Sequence, residues 1–426
     1  MLLACGESSP RPADANRPDA ASTSEAGLDA HGARDAPDLD GEGSTQPDAP
    51  ADASGSDADG GVEPPSDAGG EGGAPGGDPR FTALVVDRSR IERVEMREQT
   101  DRRTGRTFRL EFFRNMAYRC GVSGYFTFVV SSPADVTTAL PLWVHFHGGG
   151  YGYYRPDGTY SDGPVREVER NSEESFDALA PTQFDPSARH MFVSMCDHDL
   201  YGGLGQPYPY NPHWGGTDTV DGALASMAAI HFVARGNGRH PGYPTSLVFL
   251  SGSSAGGVGA YHVGAALARR GIRVNGISAA AYMITSRHPT LLAECAGAGG
   301  ELGGLDGAAR EKLGIWATDP SLLAENSFGS EYVVPFFFST GESDPFCCGM
   351  RAALPSAAAA GYTNNCRWVY GALQAAVASA PPGSPPLGVC IGSGGHGGGG
   401  SECVRARQDW LDAVMAAGPV PPVFPE

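Results

Sequence analysis

The pentapeptide GSSAG at residues 252–256 places Ser254 between glycines, at a point where the chain changes character. The residues before it, 246–250, are apolar, and those after it, 255–270, have the composition of a helix. A serine hydroxyl becomes an effective nucleophile when a sharp strand-to-helix turn presents it and a neighbouring imidazole accepts its proton. Flanking glycines make so tight a turn sterically possible. The motif and its context together predict a nucleophile elbow at Ser254, and hence ester chemistry.

A run of glycines follows an earlier apolar segment, in the sequence HGGGY at residues 147–151. Glycines at a strand end let backbone N–H groups turn inward with no side chains in the way, and such donors stabilise the oxyanion of a tetrahedral intermediate. A second contribution is expected from the N–H of the residue after the nucleophile. We therefore predict an oxyanion hole that includes Gly149, Gly150 and Ala255. The alternative is a glycine-rich loop without a catalytic role.

The general base should be a histidine downstream of Ser254, and three histidines qualify. His262 would lie two turns along the predicted helix, which is too far from the elbow. His288 stands in a predicted surface turn. His396 lies in a glycine-rich loop between an apolar run and the last predicted helix, and a loop at the carboxyl end of a strand can fold back over the elbow. We predict His396 as the base; the alternative is a solvated histidine in a surface loop.

A carboxylate is needed to orient that imidazole and to stabilise it when charged. The sequence STGESDP at residues 339–345 follows a strongly apolar run and offers two acids, Glu342 and Asp344. Asp344 is the first choice and Glu342 the reserve. Both could instead only cap a turn, because aspartate before proline commonly does so.

Two other clusters carry residue types that bind metals. His145 and His147 would share one face of a strand, but the sequence offers no third ligand. The sequence CDHD at residues 196–199 is better explained by a disulfide beside a hydrogen-bonded loop. We therefore predict neither a metal site nor an organic cofactor. The aromatic stretch 208–216 is suited to stacking on a sugar ring, and an ordinary packed loop explains it equally well.

Apolar runs alternate with helical stretches along the second half of the chain, after an opening that favours antiparallel strands. The predicted strands are 81–86, 107–113, 125–130, 142–146, 191–196, 246–250, 274–283, 333–339 and 387–391, and the predicted helices are 221–235, 255–270 and 402–417. Uniformly apolar strands that alternate with helices indicate a mostly parallel sheet covered on both faces. The predicted class is α/β, with an α/β-hydrolase fold.

Composition divides the 426 residues into a tail, 1–80, and a folded domain, 81–426. The tail consists almost wholly of Asp, Glu, Gly, Ala, Pro and Ser, so it cannot bury enough apolar surface to offset its chain entropy, and we predict that it is disordered. It also holds most of the net charge of −19. A negative chain with a single lysine, Lys312, argues against a nucleic-acid partner.

The first five residues, MLLAC, resemble the end of a bacterial lipoprotein signal, in which the cysteine becomes lipidated. The charged and apolar stretch that should precede such a signal is absent from the sequence, so either the true start lies upstream or the match is accidental. We predict lipidation at Cys5, and an exported protein that is a cell-envelope lipoprotein or is secreted. Contact with a membrane would then occur only through this anchor, because no later segment is apolar for long enough to span one.

Eight cysteines remain after Cys5, and an even number in an exported chain suggests disulfides whose pairing the sequence does not reveal. They are Cys120, Cys196, Cys295, Cys347, Cys348, Cys366, Cys390 and Cys403.

The sequences HFHGGGY at 145–151 and GSSAGG at 252–257 resemble those of the pectin acetylesterase and Notum family of α/β-hydrolase carboxylesterases. The similarity could extend over residues 81–420, although its sharp motifs are short. The resemblance implies an extracellular, disulfide-bearing esterase that removes acyl groups from polysaccharides or lipidated protein. It implies a triad of Ser254, Asp344 and His396 with oxyanion N–H groups at Gly150, Tyr151 and Ala255. The HGGG sequence is also similar to that of small-ester hydrolases of the hormone-sensitive-lipase type.

The predicted function is therefore hydrolysis of carboxylic esters through an acyl-enzyme intermediate by a monomeric serine esterase. Short-chain acyl or acetyl esters, acetylated polysaccharide among them, are the expected substrates. Two alternatives stay open: a catalytically inert surface binding module with the same fold, and a serine hydrolase that acts on lipid, polyester, peptide or thioester substrates.

Overall fold

The computed structural model describes residues 78–101, 105–118, 125–148, 187–195, 201, 206–207, 219–281, 294–295, 334–349, 351–380, 382–419, 422 and 424. Its strands are β1 Ile91–Thr100, β2 Thr107–Asn115, β3 Phe126–Pro133, β4 Leu140–Phe146, β5 Arg189–Val193, β6 Gln206–Pro207, β7 Thr219–Val220, β8 Thr245–Ser253, β9 Gly276–Ala280, β10 Phe336–Gly341 and β11 Leu387–Gly392. Its helices are α1 Pro79–Thr82, α2 Gly222–Arg235, α3 Ala255–Arg269, α4 Pro355–Ala359, α5 Asn365–Ala378 and α6 Gly400–Ala416.

Nine of these strands form one sheet in the order β1-β2-β3-β5-β4-β8-β9-β10-β11. The pairs from β1 to β5 are antiparallel, and all pairs from β5 through β4 to β11 are parallel. The predicted antiparallel beginning and mostly parallel sheet are confirmed, and the strand order is that of the α/β-hydrolase fold. The short strands β6 and β7 pair only with each other.

Helices cover both faces of the parallel part of the sheet. Helix α3 packs on β8, β9 and β4, and α2 packs against α3, while α6 packs on β11, β10 and β9. Because side chains alternate along a strand, the two faces form separate apolar clusters. Val144 and Leu250 belong to the larger cluster, on the α3 side. Trp143 and Phe249 stack at 4.6 Å in the smaller one, which also contains Trp410 of α6.

One predicted strand, 81–86, is wrong. The segment begins as the short helix α1, and hydrogen-bonding groups on either side of this helix contact the end of α3 instead of a sheet. The N–H of Asp78 donates to the carbonyl of Arg269 at 2.6 Å, and the Arg270 guanidinium donates to the carbonyl of Leu84 at 2.8 Å. These contacts place the start of the described chain at the end of α3 that is remote from Ser254.

Three disulfides lie in the described part of the chain: Cys295–Cys348, Cys347–Cys366 and Cys390–Cys403. Cys5, Cys120 and Cys196 fall outside the described residues. Among the described helices, none combines the length and apolarity that a membrane crossing requires.

Candidate active site

Ser254 lies at the junction between β8 and α3, where the sequence predicted an elbow. Its backbone has φ 57° and ψ −125°, a conformation that costs a non-glycine residue free energy and is concentrated at functional sites. The turn is held from outside, because the Ser254 N–H donates to the carbonyl of Ala280 at 2.9 Å. A strained serine between a parallel strand and a helix projects its hydroxyl at the carboxyl edge of the sheet.

The glycines around Ser254 are required by close backbone contacts. A Cβ on Gly252 would lie 2.0 Å from the carbonyl oxygen of Gly256, and one on Gly256 would lie 1.9 Å from that of Phe146. The elbow is therefore packed directly against the end of β4, and no side chain fits between them.

Asp344 and His396 are brought together at the same edge of the sheet. Asp344 follows β10, His396 follows β11, and the two strands are parallel neighbours. The His396 Nδ1 lies 3.1 Å from Oδ2 and 3.2 Å from Oδ1 of Asp344. Since a carboxylate only accepts, the imidazole donates through Nδ1–H, which leaves Nε2 as the proton acceptor. The Asp344 side chain is 4% exposed and the imidazole 27%, so the buried acid holds a base that substrate can reach.

The alternative acid, Glu342, is engaged elsewhere. Its carboxylate is partly exposed and accepts hydrogen bonds from the Arg367 guanidinium, at 2.7 Å from Nε. Asp344 instead receives a second hydrogen bond from the Thr340 hydroxyl, 2.8 Å from Oδ2. The geometry thus favours Asp344 as the partner of the imidazole.

Ser254 and the His396 loop meet at Ala280, the last residue of β9. Ala280 accepts the Ser254 N–H, and a Cβ on Gly398 would lie 3.2 Å from the Ala280 Cβ. His396 is two residues from that contact, so the loop that follows β11 crosses the ends of β10 and β9 towards the elbow that follows β8. The described contacts include no hydrogen bond between the Ser254 hydroxyl and the imidazole. Such bonds are commonly long without substrate and tighten when it binds.

The predicted oxyanion hole is described in part. Ala255 is the first residue of α3, and the opening N–H groups of a helix have no partner within it and lie at its positive end. Gly148 approaches the elbow so closely that its Cβ would lie 2.7 Å from the Ser253 carbonyl oxygen. The loop that Gly148 begins therefore starts beside the nucleophile. Gly149, Gly150 and Tyr151 lie outside the described residues.

Sequence reasoning did not single out Tyr201, which supports the start of this loop. Its hydroxyl donates to the carbonyl of His147 at 2.9 Å, and its ring packs edge-on against Phe146 at 4.9 Å. Tyr201 is fully buried with φ 60°. An isolated tyrosine in a glycine-rich segment gave no signal by which this contact could have been found.

The other histidines occupy different positions. His262 is buried on α3, and burial lowers its pKa to about 3, so it stays neutral within the packing of the helix. His145 shares a hydrogen bond with Ser251 on β8 and another with His190 on β5, each of 2.8 Å. Burial, and secondarily the neighbouring His190, hold the pKa of His145 well below its usual value. His288 lies outside the described residues.

No group of three His, Cys, Asp or Glu side chains within the described ranges is arranged to hold a metal ion. His145 is turned towards Ser251 and His190, whereas His147 is exposed and contacts the carbonyl of Gly148. The stretches 196–199 and 208–216 lie outside the described residues.

The chain has no matching family model and no curated relative with significant sequence similarity. Solved structures similar to it include carboxyl esterase 2 of the fungus Tuber melanosporum, with 14% identity over 72% of this chain and 85% of that one and a TM-score of 0.41. An S-formylglutathione hydrolase of Agrobacterium tumefaciens matches with 13% identity over 77% and 100%, at a TM-score of 0.40. Brefeldin A esterase, a bacterial homologue of human hormone-sensitive lipase, matches with 18% identity over 79% and 78%, at a TM-score of 0.33.

At these identities the similarities concern the fold, which the strand order establishes independently. The finer resemblance to the pectin acetylesterase and Notum family stays a prediction.

Proposed function

We propose that the protein is a serine ester hydrolase in which Ser254 attacks the ester carbonyl and His396 accepts its proton. Asp344 would fix the imidazole tautomer and stabilise the imidazolium. The backbone N–H of Ala255, with those of the loop after Gly148, would hold the oxyanion. The observation that carries the proposal is the occurrence, at one edge of the sheet, of a strained elbow at Ser254 and of a buried carboxylate hydrogen-bonded to a partly exposed imidazole.

In this mechanism the Ser254 oxygen forms a bond to the carbonyl carbon while its proton moves to Nε2 of His396. That proton then passes to the departing alcohol, and an acyl-enzyme remains. Water then attacks the acyl carbon while one of its protons moves to Nε2 of His396, and that proton passes to the Ser254 oxygen as its bond to the acyl carbon breaks and the acid leaves.

The first test is hydrolysis of p-nitrophenyl acetate by the wild type and by Ser254→Ala. Loss of a triad nucleophile typically lowers kcat by about 10⁴- to 10⁶-fold. A fluorophosphonate probe, followed by peptide mass spectrometry, should label the wild type at Ser254 and leave Ser254→Ala unlabelled. Equal turnover by both proteins would remove Ser254 from the mechanism, and absence of labelling in the wild type would favour an inert binding module.

The proposed substrates are esters of short acyl groups, with acetylated polysaccharide as the first polymer to examine. The motif resemblance supports this choice, and the partly exposed imidazole is compatible with a large alcohol component. A panel of p-nitrophenyl esters from acetyl to octanoyl, together with acetylated xylan and pectin, tests it. A preference for long acyl chains, or turnover of thioesters or peptides alone, would contradict the proposed substrate class.

We also propose an exported, monomeric protein attached to a membrane through lipidated Cys5. The three disulfides support export, because such bonds persist in oxidising compartments. Mass spectrometry of the N-terminal peptide from cell membranes tests the lipid. Sedimentation of the purified protein tests the oligomeric state.

A further inference from the structure

The loop that carries His396 is closed by a disulfide. Cys390 lies in β11 and Cys403 in α6, so their bond joins the two ends of a segment in which His396 is near the centre. Gly394, Gly398 and Gly399 in this segment have positive φ. Glycines lose more conformational freedom on folding than other residues, so such a loop needs a restraint to hold a side chain in one place.

The restraint acts close to the imidazole. A Cβ on Gly399 would lie 2.5 Å from the Cys403 Sγ, so the chain three residues after His396 rests on the disulfide. On the other side, the N–H of Ser393 donates to the carboxylate of Glu402 in the same helix turn as Cys403. Both flanks of His396 are therefore attached to the start of α6.

A second disulfide restrains the turn that carries Asp344. Cys347 is three residues after Asp344 and is bonded to Cys366, in the first turn of α5. The Asp344 carbonyl accepts hydrogen bonds from the N–H groups of Gly349 at 2.9 Å and Cys347 at 3.2 Å. The neighbouring Asn365 side chain donates to the Cys348 carbonyl at 2.8 Å. The acid turn is thus attached to α5 as the histidine loop is attached to α6.

We infer that Cys347–Cys366 and Cys390–Cys403 are positioning residues, each of which holds one partner of the Asp344–His396 pair, and that full activity requires both disulfides to be oxidised. This inference rests on the proposed function. The hydrogen bond between the partners spans 3.1–3.2 Å, and a displacement of about 1 Å at a catalytic group can lower the rate by about 100-fold. The β10–β11 ladder ends at Gly341 and Gly392, before both residues. Two backbone hydrogen bonds continue beyond it, from the Glu342 N–H to the Gly392 carbonyl at 2.9 Å and from the Ser343 N–H to the Gly394 carbonyl at 2.8 Å, but neither involves Asp344 or His396.

Reduction with dithiothreitol supplies the first test. Each protein disulfide accepts two electrons and two protons and becomes two thiols, while dithiothreitol loses the same and closes to its cyclic disulfide. We expect kcat on p-nitrophenyl acetate to fall by about 10- to 100-fold with little change in KM, and to recover on reoxidation. Far-UV circular dichroism recorded on the same samples verifies that the reduced protein is folded.

Two double variants, Cys347→Ala/Cys366→Ala and Cys390→Ala/Cys403→Ala, separate the two restraints without leaving a free thiol. The kcat of each double variant should fall by a factor similar to that expected on reduction. Asp78→Asn provides the matched control. That change removes an ion pair with Arg269 at the far end of α3 and should lower stability without lowering kcat. If both double variants are folded and retain the kcat of the wild type, the inference is wrong. The inference is also wrong if Asp78→Asn, with the same loss of stability as the double variants, shows the same fall in kcat.

A second measurement does not depend on turnover. The Nδ1–H proton between His396 and Asp344 should give a downfield proton NMR signal, identified by its absence in His396→Gln. If the signal is lost on reduction but the oxidised protein turns over no ester, the positioning role is retained and the proposed function is refuted. A signal and a kcat that both survive reduction would refute the positioning role and leave the esterase proposal standing.

Discussion

The Asp344 carboxylate accepts hydrogen bonds from the Thr340 hydroxyl and the His396 imidazole, and it is buried. A buried carboxylate interacts more strongly with its donors than an exposed one does, because the local dielectric is low. Glu342, two residues away, is partly exposed and bound to an arginine. The two acids of this turn therefore differ in environment, and that difference makes Asp344, and not Glu342, suited to orient the imidazole.

Replacement of the two acids one at a time tests this distinction. Asp344→Asn keeps the side-chain shape but removes the charge that fixes the imidazole tautomer, so we expect kcat on p-nitrophenyl acetate to fall by about 10⁴-fold. Glu342→Gln is the matched control. An exposed ion pair contributes no more than about 1 kcal/mol, so kcat should change by a few-fold at most. The reverse pattern in steady-state kinetics would identify Glu342 as the triad acid.

Thr340→Val tests the support behind Asp344. Valine has the shape of threonine without the hydroxyl, and a hydrogen bond to a charged group contributes about 1.5–3 kcal/mol. If that bond orients the carboxylate, kcat should fall by about 10-fold or more with KM nearly constant, and the pH profile of kcat/KM should shift. Thr340→Ser should restore both. A valine variant with the kcat of the wild type would limit Thr340 to packing.

Single residues differ in how far the sequence reveals them. Ser254, Asp344 and His396 each follow an apolar run, and strand exits are where catalytic side chains of an α/β fold accumulate, so their candidacy could be read from the chain. Tyr201 acts through a contact made across the fold, with the carbonyl of His147, whereas Thr340 contacts Asp344 within one turn. Neither residue belongs to a recognisable sequence motif.

The elbow depends on how two elements approach, the end of β4 and the start of α3. Gly256→Ala would put a methyl group 1.9 Å from the Phe146 carbonyl oxygen, which neither element can avoid without moving. We expect the free energy of unfolding in urea to fall by about 1–3 kcal/mol, as overpacking generally costs. Gly397→Ala is the control, since nothing lies within 4 Å of its Cβ position and its φ is not positive. Equal stability of the two variants would contradict the close approach.

Most of the longer elements with an apolar period were predictable, whereas a strand without one was not. Strand β1 was missed because only Ile91 is buried among its ten residues. It is attached instead by ion pairs to β2, Arg93 with Glu111 and Glu92 with Arg114. Helix α5 was missed although two signals were present: Val369, Tyr370 and Leu373 form a buried face at helical spacing, and the Asn364 side chain accepts the N–H of Arg367.

The assembled sheet explains why residues far apart in sequence form one site. Strands β8, β9, β10 and β11 are parallel neighbours, so the loops after β8, β10 and β11 emerge at a common edge. That order depends on long-range pairing, which no local pattern specifies. The same assembly has a consequence for stability, because it encloses uncharged histidines on both faces of the sheet.

His262 is buried and His145 is partly buried, and desolvation lowers the pKa of His262 to about 3 and that of His145 well below 6.5. An unfolded histidine has a pKa of about 6.5, so as the pH falls the unfolded chain binds protons that the folded chain does not bind. The stability that comes from holding the two histidines neutral is fully present above pH ~6.5. Below that pH the free energy of unfolding falls progressively, by up to about 1.4 kcal/mol per pH unit for each histidine.

We therefore expect the free energy of unfolding in urea to decline steeply from about pH 6.5 downward, with the disulfides intact. In His262→Gln the carboxylates and His145 titrate as before, so their contributions cancel in the comparison, and the decline should be shallower by about 1.4 kcal/mol per pH unit. Stability at neutral pH can differ between the two proteins without affecting this slope. If the free energy of unfolding falls with the same slope in both proteins between pH 6.5 and 4.5, His262 takes up its proton in the folded protein. Helix α3 would then accommodate a charge in its buried face.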